Sequence, residues 1–302
     1  MLNAIKVRLS QGRQYITDLR AAAPKGFRGL PVVRGDGCEP GCGACVEVCP
    51  AAALALAPVR IDLGRCTFCG ECAAACASGR IEFTSQHRMA SARRDALVVS
   101  EADPGPPPAA VAGALARIFG RSLKLRSVSA GGCNGCELEL NALSNVNFDL
   151  GRYGIEFVAS PRHADGLVVT GPLTRNMREA LELAWTAMPE PKFVIACGAC
   201  AISGGPYADS AVLDRDFLAG VAPVLHIPGC PPHPLTFIEG ILDLLGIALP
   251  ARSAALGPTR RRRFPRWSGF SSATVESRHE SAETLLSAVG VDLGFGRRDR
   301  PR

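Results

Sequence analysis

The sequence predicts an α/β chain: a mostly parallel sheet in its second half, preceded by a smaller, cysteine-stapled α+β module. Three observations carry this expectation. Short apolar runs alternate with helix-length segments from residue 123 onward, a cysteine pattern repeats between residues 38 and 76, and a proline-rich stretch divides the two regions. With 302 residues, about two domains are expected.

Along the chain, residues 1–30 are expected as an N-terminal docking segment and residues 31–86 as the cysteine module. In that module "CEPGCGACVEVCPAAALAL" (38–56) resembles "CTFCGECAAACASGRIEF" (66–83), and Cys42, Cys45 and Cys49 recur 27 residues later as Cys69, Cys72 and Cys76. Cys38 and Cys66 are 28 apart, so the first copy holds one extra residue after Cys38. A linker is expected at 87–107, running into "ADPGPPPAA" (102–110), where three successive prolines favour extended backbone. The following "AAVAGALARIFGRS" has helical spacing, with Val111, Leu115, Ile118 and Phe119 near one face.

The main domain is expected at 108–250. Its strand candidates are 123–128, 155–160, 166–171, 192–197 and 224–229; helices are expected over 135–146, 175–188 and 233–246, the last entered through "PPHP". Strand and helix alternating in this way give a parallel sheet covered on both faces. Ligands of such folds gather beyond the carboxyl ends of the strands. Residues 251–302 hold 11 arginines against 5 acidic residues, so the net charge of +6 sits in this basic tail, expected to be mobile.

Hydrophobic residues make up 47% of the chain and charged residues 21%, which excludes a disordered protein. Thirteen cysteines dominate the chemistry. The N-terminal "MLNAIKVRLSQGRQYITDLR" lacks the apolar core and cleavage site of a secretory signal, and no run of 18 apolar residues occurs. A chain outside the oxidising compartments, with cysteines at short spacings, points to metal binding rather than disulfides.

The spacings are C-x3-C-x2-C-x3-C-P in the first repeat and C-x2-C-x2-C-x3-C in the second. The second matches the two-cluster ferredoxin run, with Ala77 in place of the proline. Three thiolates on one tight loop wrap three corners of a [4Fe–4S] cube, and the fourth cysteine ligates the other cluster. Cluster 1 is therefore expected on Cys38, Cys42, Cys45 and Cys76, and cluster 2 on Cys66, Cys69, Cys72 and Cys49. The extra residue after Cys38 leaves open whether cluster 1 is a complete cube or a three-iron form. Zinc is the rival, but it does not explain the x3-Cys-Pro ending or the crossed repeat.

Five cysteines are left: Cys133, Cys136, Cys197, Cys200 and Cys230. They follow three separate strand candidates, which delivers them to one edge of the sheet. Cys200 and Cys230 lie on turns beside glycines, whereas Cys197 ends an apolar strand, where a free cysteine packs as a small hydrophobe. Cys133, Cys136, Cys200 and Cys230 are thus expected to hold cluster 3, giving three [4Fe–4S] clusters in all.

"GGCNGCELEL", "SPRHADGLVVTG", "GACAISGG" and "IPGCPPHP" resemble, in order and spacing, the small subunit of energy-converting (group 4) [NiFe] hydrogenases of the formate hydrogenlyase type, itself similar to the 20 kDa subunit of respiratory complex I. The resemblance covers roughly residues 108–250. "FRGLP" (27–31) with the double cysteine repeat resembles the ferredoxin-like subunit of the same complexes, so the chain looks like a fusion of the two. The resemblance implies a flavodoxin-like second half and a third cluster next to a partner's active site. Its implied partners are a [NiFe] hydrogenase large subunit carrying the catalytic metal, membrane-arm subunits, and an electron donor or acceptor module such as a formate dehydrogenase. Its implied location is cytoplasmic, peripheral on the inner face of the cell membrane, and no nucleic-acid partner is expected. The expected function is electron transfer, with no catalytic residue in this chain; the alternative is a complex I-like quinone-reducing subunit. Complex I members carry adjacent cysteines where two residues separate Cys133 from Cys136, which favours the hydrogenase.

Three lesser candidates stand beside these. Glu137 either relays protons toward a partner or interacts as a helix-start carboxylate with the helix dipole. Arg162 and His163 either approach the cluster or a partner, or lie exposed on a loop. "SGG" (203–205) does not fit a dinucleotide-binding pattern, and the Arg260–Arg263 run is expected to be solvated.

Overall fold

Short strands bounded by glycines and cysteines build the first half. A computed structural model of the chain describes residues 2–12, 14–35, 38–39, 41–109, 113–120 and 122–247. A helix α1 (Leu2–Gln11) precedes β1 (Pro31–Val33), α2 (Ala44–Glu47), β2 (Leu54–Ala55), β3 (Arg60–Asp62), α3 (Glu71–Ala75), β4 (Ile81–Phe83) and β5 (Val98–Ser100). β1 pairs antiparallel with β4, while β2, β3 and β5 form a three-stranded antiparallel sheet. The cysteine repeat is also a structural repeat. α2 and α3 begin at the same 27-residue offset, each entered through a glycine, Gly43 and Gly70. Gly70 sits at φ +86°, a left-handed conformation that costs a side chain dearly and glycine little.

Residues 87–107 do not behave as an open linker. Their central strand, β5, pairs with β3, and Ser91 exchanges two backbone hydrogen bonds with His226, at 3.0 and 2.8 Å. The cause is apolar content: Met89, Ala90, Leu97 and Val99 are all buried, and burying such side chains outweighs the freedom of a loop. Residues 102–109, with the prolines, carry no helix or strand. The start of the chain is likewise folded onto the rest: Leu19 is buried in the second half's core, and the Ile16 N–H donates to the Asn147 carbonyl at 2.8 Å.

The second half contains α4 (Gly113–Phe119), β6 (Leu123–Ser129), α5 (Gly135–Ala142), β7 (Ile155–Phe157), β8 (Gly166–Thr170), α6 (Arg178–Ala187), β9 (Phe193–Cys197), α7 (Ala199–Ser203), α8 (Asp216–Gly220), β10 (Leu225–Ile227) and α9 (Pro234–Leu244). All five strands are parallel, in the order β7-β6-β8-β9-β10. Counted within the sheet this is 2-1-3-4-5, the flavodoxin-like order, whose switch point lies between β6 and β8. Each strand lies within or close to its expected run. β7 ends at Phe157, shortly before a 3-10 turn at Pro161–His163. Of the face expected in α4, Leu115 and Phe119 meet the core, but Ile118 points outward; Val111 lies outside the described residues, as does the basic tail with Arg260–Arg263.

β8 and β9 are buried at every position, as expected for central parallel strands. Helix α9 is buried on nearly all sides, because the sheet covers one face and the segment around His87–Ala90 packs on it elsewhere. At Gly240 a side-chain carbon would lie 2.6 Å from the Ala90 Cβ, so this close approach requires glycine. The two halves share a core: Ala196, Ala201 and Ile202 pack with Leu63, Cys66, Cys72 and Leu97. No helix among the described residues is long and apolar enough to cross a membrane.

Candidate iron–sulfur sites

The fold gathers twelve of the thirteen cysteines into three neighbourhoods. Burial pushes the Cys45 thiol up, and so do the charges of Cys38, Cys76 and Cys42. Cys38, Cys42 and Cys76 therefore lie near Cys45. Cys66 is pushed up to about 12, chiefly by burial and then by Cys72, Cys49 and Cys69, against the opposing hydrogen bond from the Phe68 N–H. Cys72 rises to about 11, again chiefly by burial. In each repeat the helix presents its cysteine inward while the last cysteine crosses to the other copy's loop.

Backbone N–H groups already point at several of these sulfurs. Ala53 N–H donates to Cys49 Sγ, Arg80 N–H to Cys76 Sγ and Phe68 N–H to Cys66 Sγ, each at 3.3 Å. The first two obey the 27-residue repeat, since both donors lie four residues past the crossing cysteine. Cys76 is held below its ordinary range, mainly by the Ser78 hydroxyl and by backbone donors that outweigh burial.

The third neighbourhood forms at the carboxyl edge of the parallel sheet. Cys133 and Cys136 follow β6 at the switch point, Cys200 lies in the first turn of α7 beyond β9, and Cys230 follows β10. Asn134, between the first two, adopts a left-handed conformation at φ +69°, which asparagine tolerates better than most residues. The Gly198 N–H donates to the Ile227 carbonyl at 2.8 Å and the Ala199 N–H to the Gly229 carbonyl at 2.9 Å, tying the loops of Cys200 and Cys230 together. Cys136 is pushed up to about 12 by burial first, then by Glu137, Cys200, Cys230 and Cys133. Cys200 rises to about 11 through burial, Cys230 and Cys133, with Arg215 pulling the other way. Cys133 and Cys230 are exposed.

Cys197 is buried. Its thiol lies near Cys136 and Glu137 and is pushed up, overwhelmingly by burial; it packs in the core of the second half. Glu137 stands in the first turn of α5. Burial raises its pKa, but hydrogen bonds from Ser129 and Thr170 outweigh that and hold it below the usual carboxylate range. Arg162 and His163 are exposed on the 3-10 turn after β7.

The donor sets suit iron–sulfur clusters. Each neighbourhood offers four thiols. Among the described residues no group of three Cys, His, Asp or Glu side chains is placed to hold a single metal ion. Close approach is built in at Gly198, where an added Cβ would sit 2.6 Å from Cys136 Sγ.

Sequence reasoning missed Gly198, Thr170 and Arg215. Gly198 stands in "ACGAC" between two cysteines just past an apolar strand, a signal for close backbone approach. Arg215 has no such signal, since it lies 15 residues beyond Cys200.

Comparison with known proteins agrees with this arrangement. Residues 37–80 match the 4Fe-4S dicluster domain, and residues 133–244 match the NADH ubiquinone oxidoreductase 20 kDa subunit. The probable membrane-bound hydrogenase subunit mbhJ of Pyrococcus furiosus is 41% identical over 133 residues, covering 42% of this chain and 77% of that protein. The chain belongs to the complex I 20 kDa subunit family. Within this family, formate hydrogenlyase subunit 7 of Escherichia coli is 43% identical over 138 residues, or 46% of this chain and 54% of that one. An NADH-quinone oxidoreductase subunit of Heliobacterium modesticaldum is 40% identical over 110 residues, or 36% and 63%. This 20 kDa-family chain, fused to a dicluster domain, is an iron–sulfur component of an oxidoreductase.

Proposed function

We propose that this chain is the electron-transfer subunit of a membrane-associated [NiFe] hydrogenase or formate hydrogenlyase-type complex, holding three [4Fe–4S] clusters between a donor module and a large subunit. Cys38, Cys42, Cys45 and Cys76 hold cluster 1; Cys66, Cys69, Cys72 and Cys49 hold cluster 2; Cys133, Cys136, Cys200 and Cys230 hold cluster 3. Once bound, the clusters take up and release single electrons. The domain limits are proposed as read from the sequence, with β5 inside residues 87–107.

The observation that carries this reading is a shared cavity. Cys69 of the second set and Cys230 of the third line one cavity of about 280 Å³, with Phe27, Arg28, Phe68, Met89 and His233. This shared lining supports an electron path from the dicluster half to the third site through the second cysteine set. Arg28, from "FRGLP", donates to the Phe68 carbonyl at 2.8 Å and holds the loop between Cys66 and Cys69 against this cavity. Cys133 and Cys230 are exposed, which leaves the third set accessible to a partner that carries the catalytic metal. The chain would dock peripherally on the inner face of the membrane.

Both hydrogenase subunits and quinone oxidoreductase subunits are relatives at comparable identity, and the two-residue separation of Cys133 from Cys136 favours the former. Purification of the native complex separates the two. Hydrogen evolution from a low-potential donor, independent of added quinone, is expected; quinone reduction without hydrogen chemistry would overturn the hydrogenase reading in favour of the complex I-like one.

A further inference from the structure

Arg215, the residue before α8, projects its guanidinium back onto α7. One terminal nitrogen donates to the carbonyls of Pro172 at 3.3 Å and Cys200 at 3.1 Å. The other donates to Ala201 at 2.7 Å and Ile202 at 3.0 Å. Four carbonyls thus saturate the fork, and three of them belong to the short helix that carries Cys200. A flat guanidinium with its donors in fixed directions makes such a clamp; a lysine ammonium does not.

What the clamp lacks is a counter-ion. Among the described residues Arg215 forms no ion pair with a carboxylate. Its two acidic neighbours are turned elsewhere: Asp214 and Asp216 both face Arg178, at 2.8 and 3.6 Å. The nearest charge across the module boundary is another cation, Arg94, and that one is already neutralised by a two-pronged contact to Asp62 at 2.6 and 2.8 Å. A half-buried charge in this condition is costly unless an anion lies beside it. Among the described residues, a neighbouring group that becomes an anion as a cluster ligand is the thiol of Cys200, the residue whose carbonyl Arg215 holds.

We propose that Arg215 is a positioning and potential-setting residue for the third site: it fixes the helix of Cys200 through the carbonyls and supplies the positive charge that balances the thiolate cluster. This rests on the assignment of a cluster to Cys133, Cys136, Cys200 and Cys230. One-electron reduction adds one negative charge to the cluster and breaks no bond, so a cation beside it stabilises the reduced form and raises the midpoint potential. Charge and hydrogen bonding near the sulfurs are among the levers a protein has over such potentials. The effect is local: it makes the third site easier to reduce than the same site without the arginine.

The test is a redox titration of the full chain followed by electron paramagnetic resonance, on wild type, Arg215→Gln and Arg215→Lys, with iron content measured on each. Arg215→Gln keeps a donor and removes the charge; Arg215→Lys keeps the charge and loses the fork. In Arg215→Gln the third cluster's midpoint is expected to fall so that its reduced-to-oxidised ratio drops at least tenfold at a fixed potential, about 59 mV for one electron. The dicluster midpoints stay in place, and Arg215→Lys recovers more than half of the shift. A fully loaded Arg215→Gln protein with an unmoved third midpoint overturns the proposal, as does an Arg215→Lys midpoint shifted equally far. Should Arg215→Gln bind iron for only two clusters, Arg215→Lys decides: a third cluster near the wild-type midpoint upholds the assignment, and its absence or full shift contradicts it. A wild-type chain without a third cluster would instead refute the underlying site.

Discussion

Gly198 and Cys197 stand side by side at the end of β9 and make opposite predictions. A side-chain carbon at Gly198 would meet Cys136 Sγ at 2.6 Å, and the residue's φ is +95°. Gly198→Ala is therefore expected to displace Cys136 and empty the third site alone, lowering iron from about twelve to about eight atoms per chain, by the stoichiometry of four-iron clusters. Iron and sulfide analysis reads this directly. Cys197→Ala should leave the iron count unchanged and cost about 1 kcal/mol of stability, the scale of a small core deletion. A loss of four irons there would make Cys197 a ligand. The sequence made the four expected ligands of this site legible because parallel strands send their trailing loops to one edge. It could not reveal Arg215, whose side chain reaches α7 across a loop. Nor could it reveal the clasp of Glu137 by Ser129 and Thr170, since Thr170 lies 33 residues further along the chain.

Helix α9 sets the stability scale of the junction. His87 Nε2 lies 3.0 Å from Glu239 Oε2, with both side chains almost wholly excluded from water, and Arg88 holds Asp243 with two contacts one turn on. His87→Ala removes the side chain facing this buried carboxylate and is expected to cost about 1–3 kcal/mol, the range for leaving a buried polar group unsatisfied; urea unfolding checks it, with a His87→Ala chain as stable as wild type as the refuting result. The segment holding His87 reads as part of a linker because it runs into the proline-rich stretch at 102–110. Arg88, Arg94 and His87 find partners only in the folded chain, at Asp243, Asp62 and Glu239, so their burial could not be foreseen locally. α7 was missed for a related reason, as five residues are too few to show a helical period.

The cysteine-bearing elements also carry a pH signature. In the cluster-free chain Cys66 and Cys136 rise from 9.0 to about 12, mainly by burial. Folding then favours the protonated thiol, so this contribution is complete below pH 9 and is lost as pH climbs from 9 toward 12. Unfolding free energy of the cluster-free chain should fall across that window. In the loaded chain the ligands carry no proton, and the fall should be absent. An equal fall in both forms would mean that these thiols are not ligands.

At the scale of the whole molecule, one shared cluster of buried side chains joins a dicluster module to a parallel sheet, and Cys69 and Cys230 line a cavity where the two meet. The alternation of runs and the repeat made both halves legible; their mutual packing was not, because Ala196, Ala201 and Ile202 read only as ordinary core residues of the second half. The central claim is three cysteine sets holding three four-iron clusters in one chain. Iron, sulfide and zinc analysis of the anaerobically purified full chain tests it most directly. About twelve irons with matching sulfide and no stoichiometric zinc are expected, as three four-iron clusters require. Zinc in place of iron, or about eight irons with the set at Cys133, Cys136, Cys200 and Cys230 empty, would contradict it.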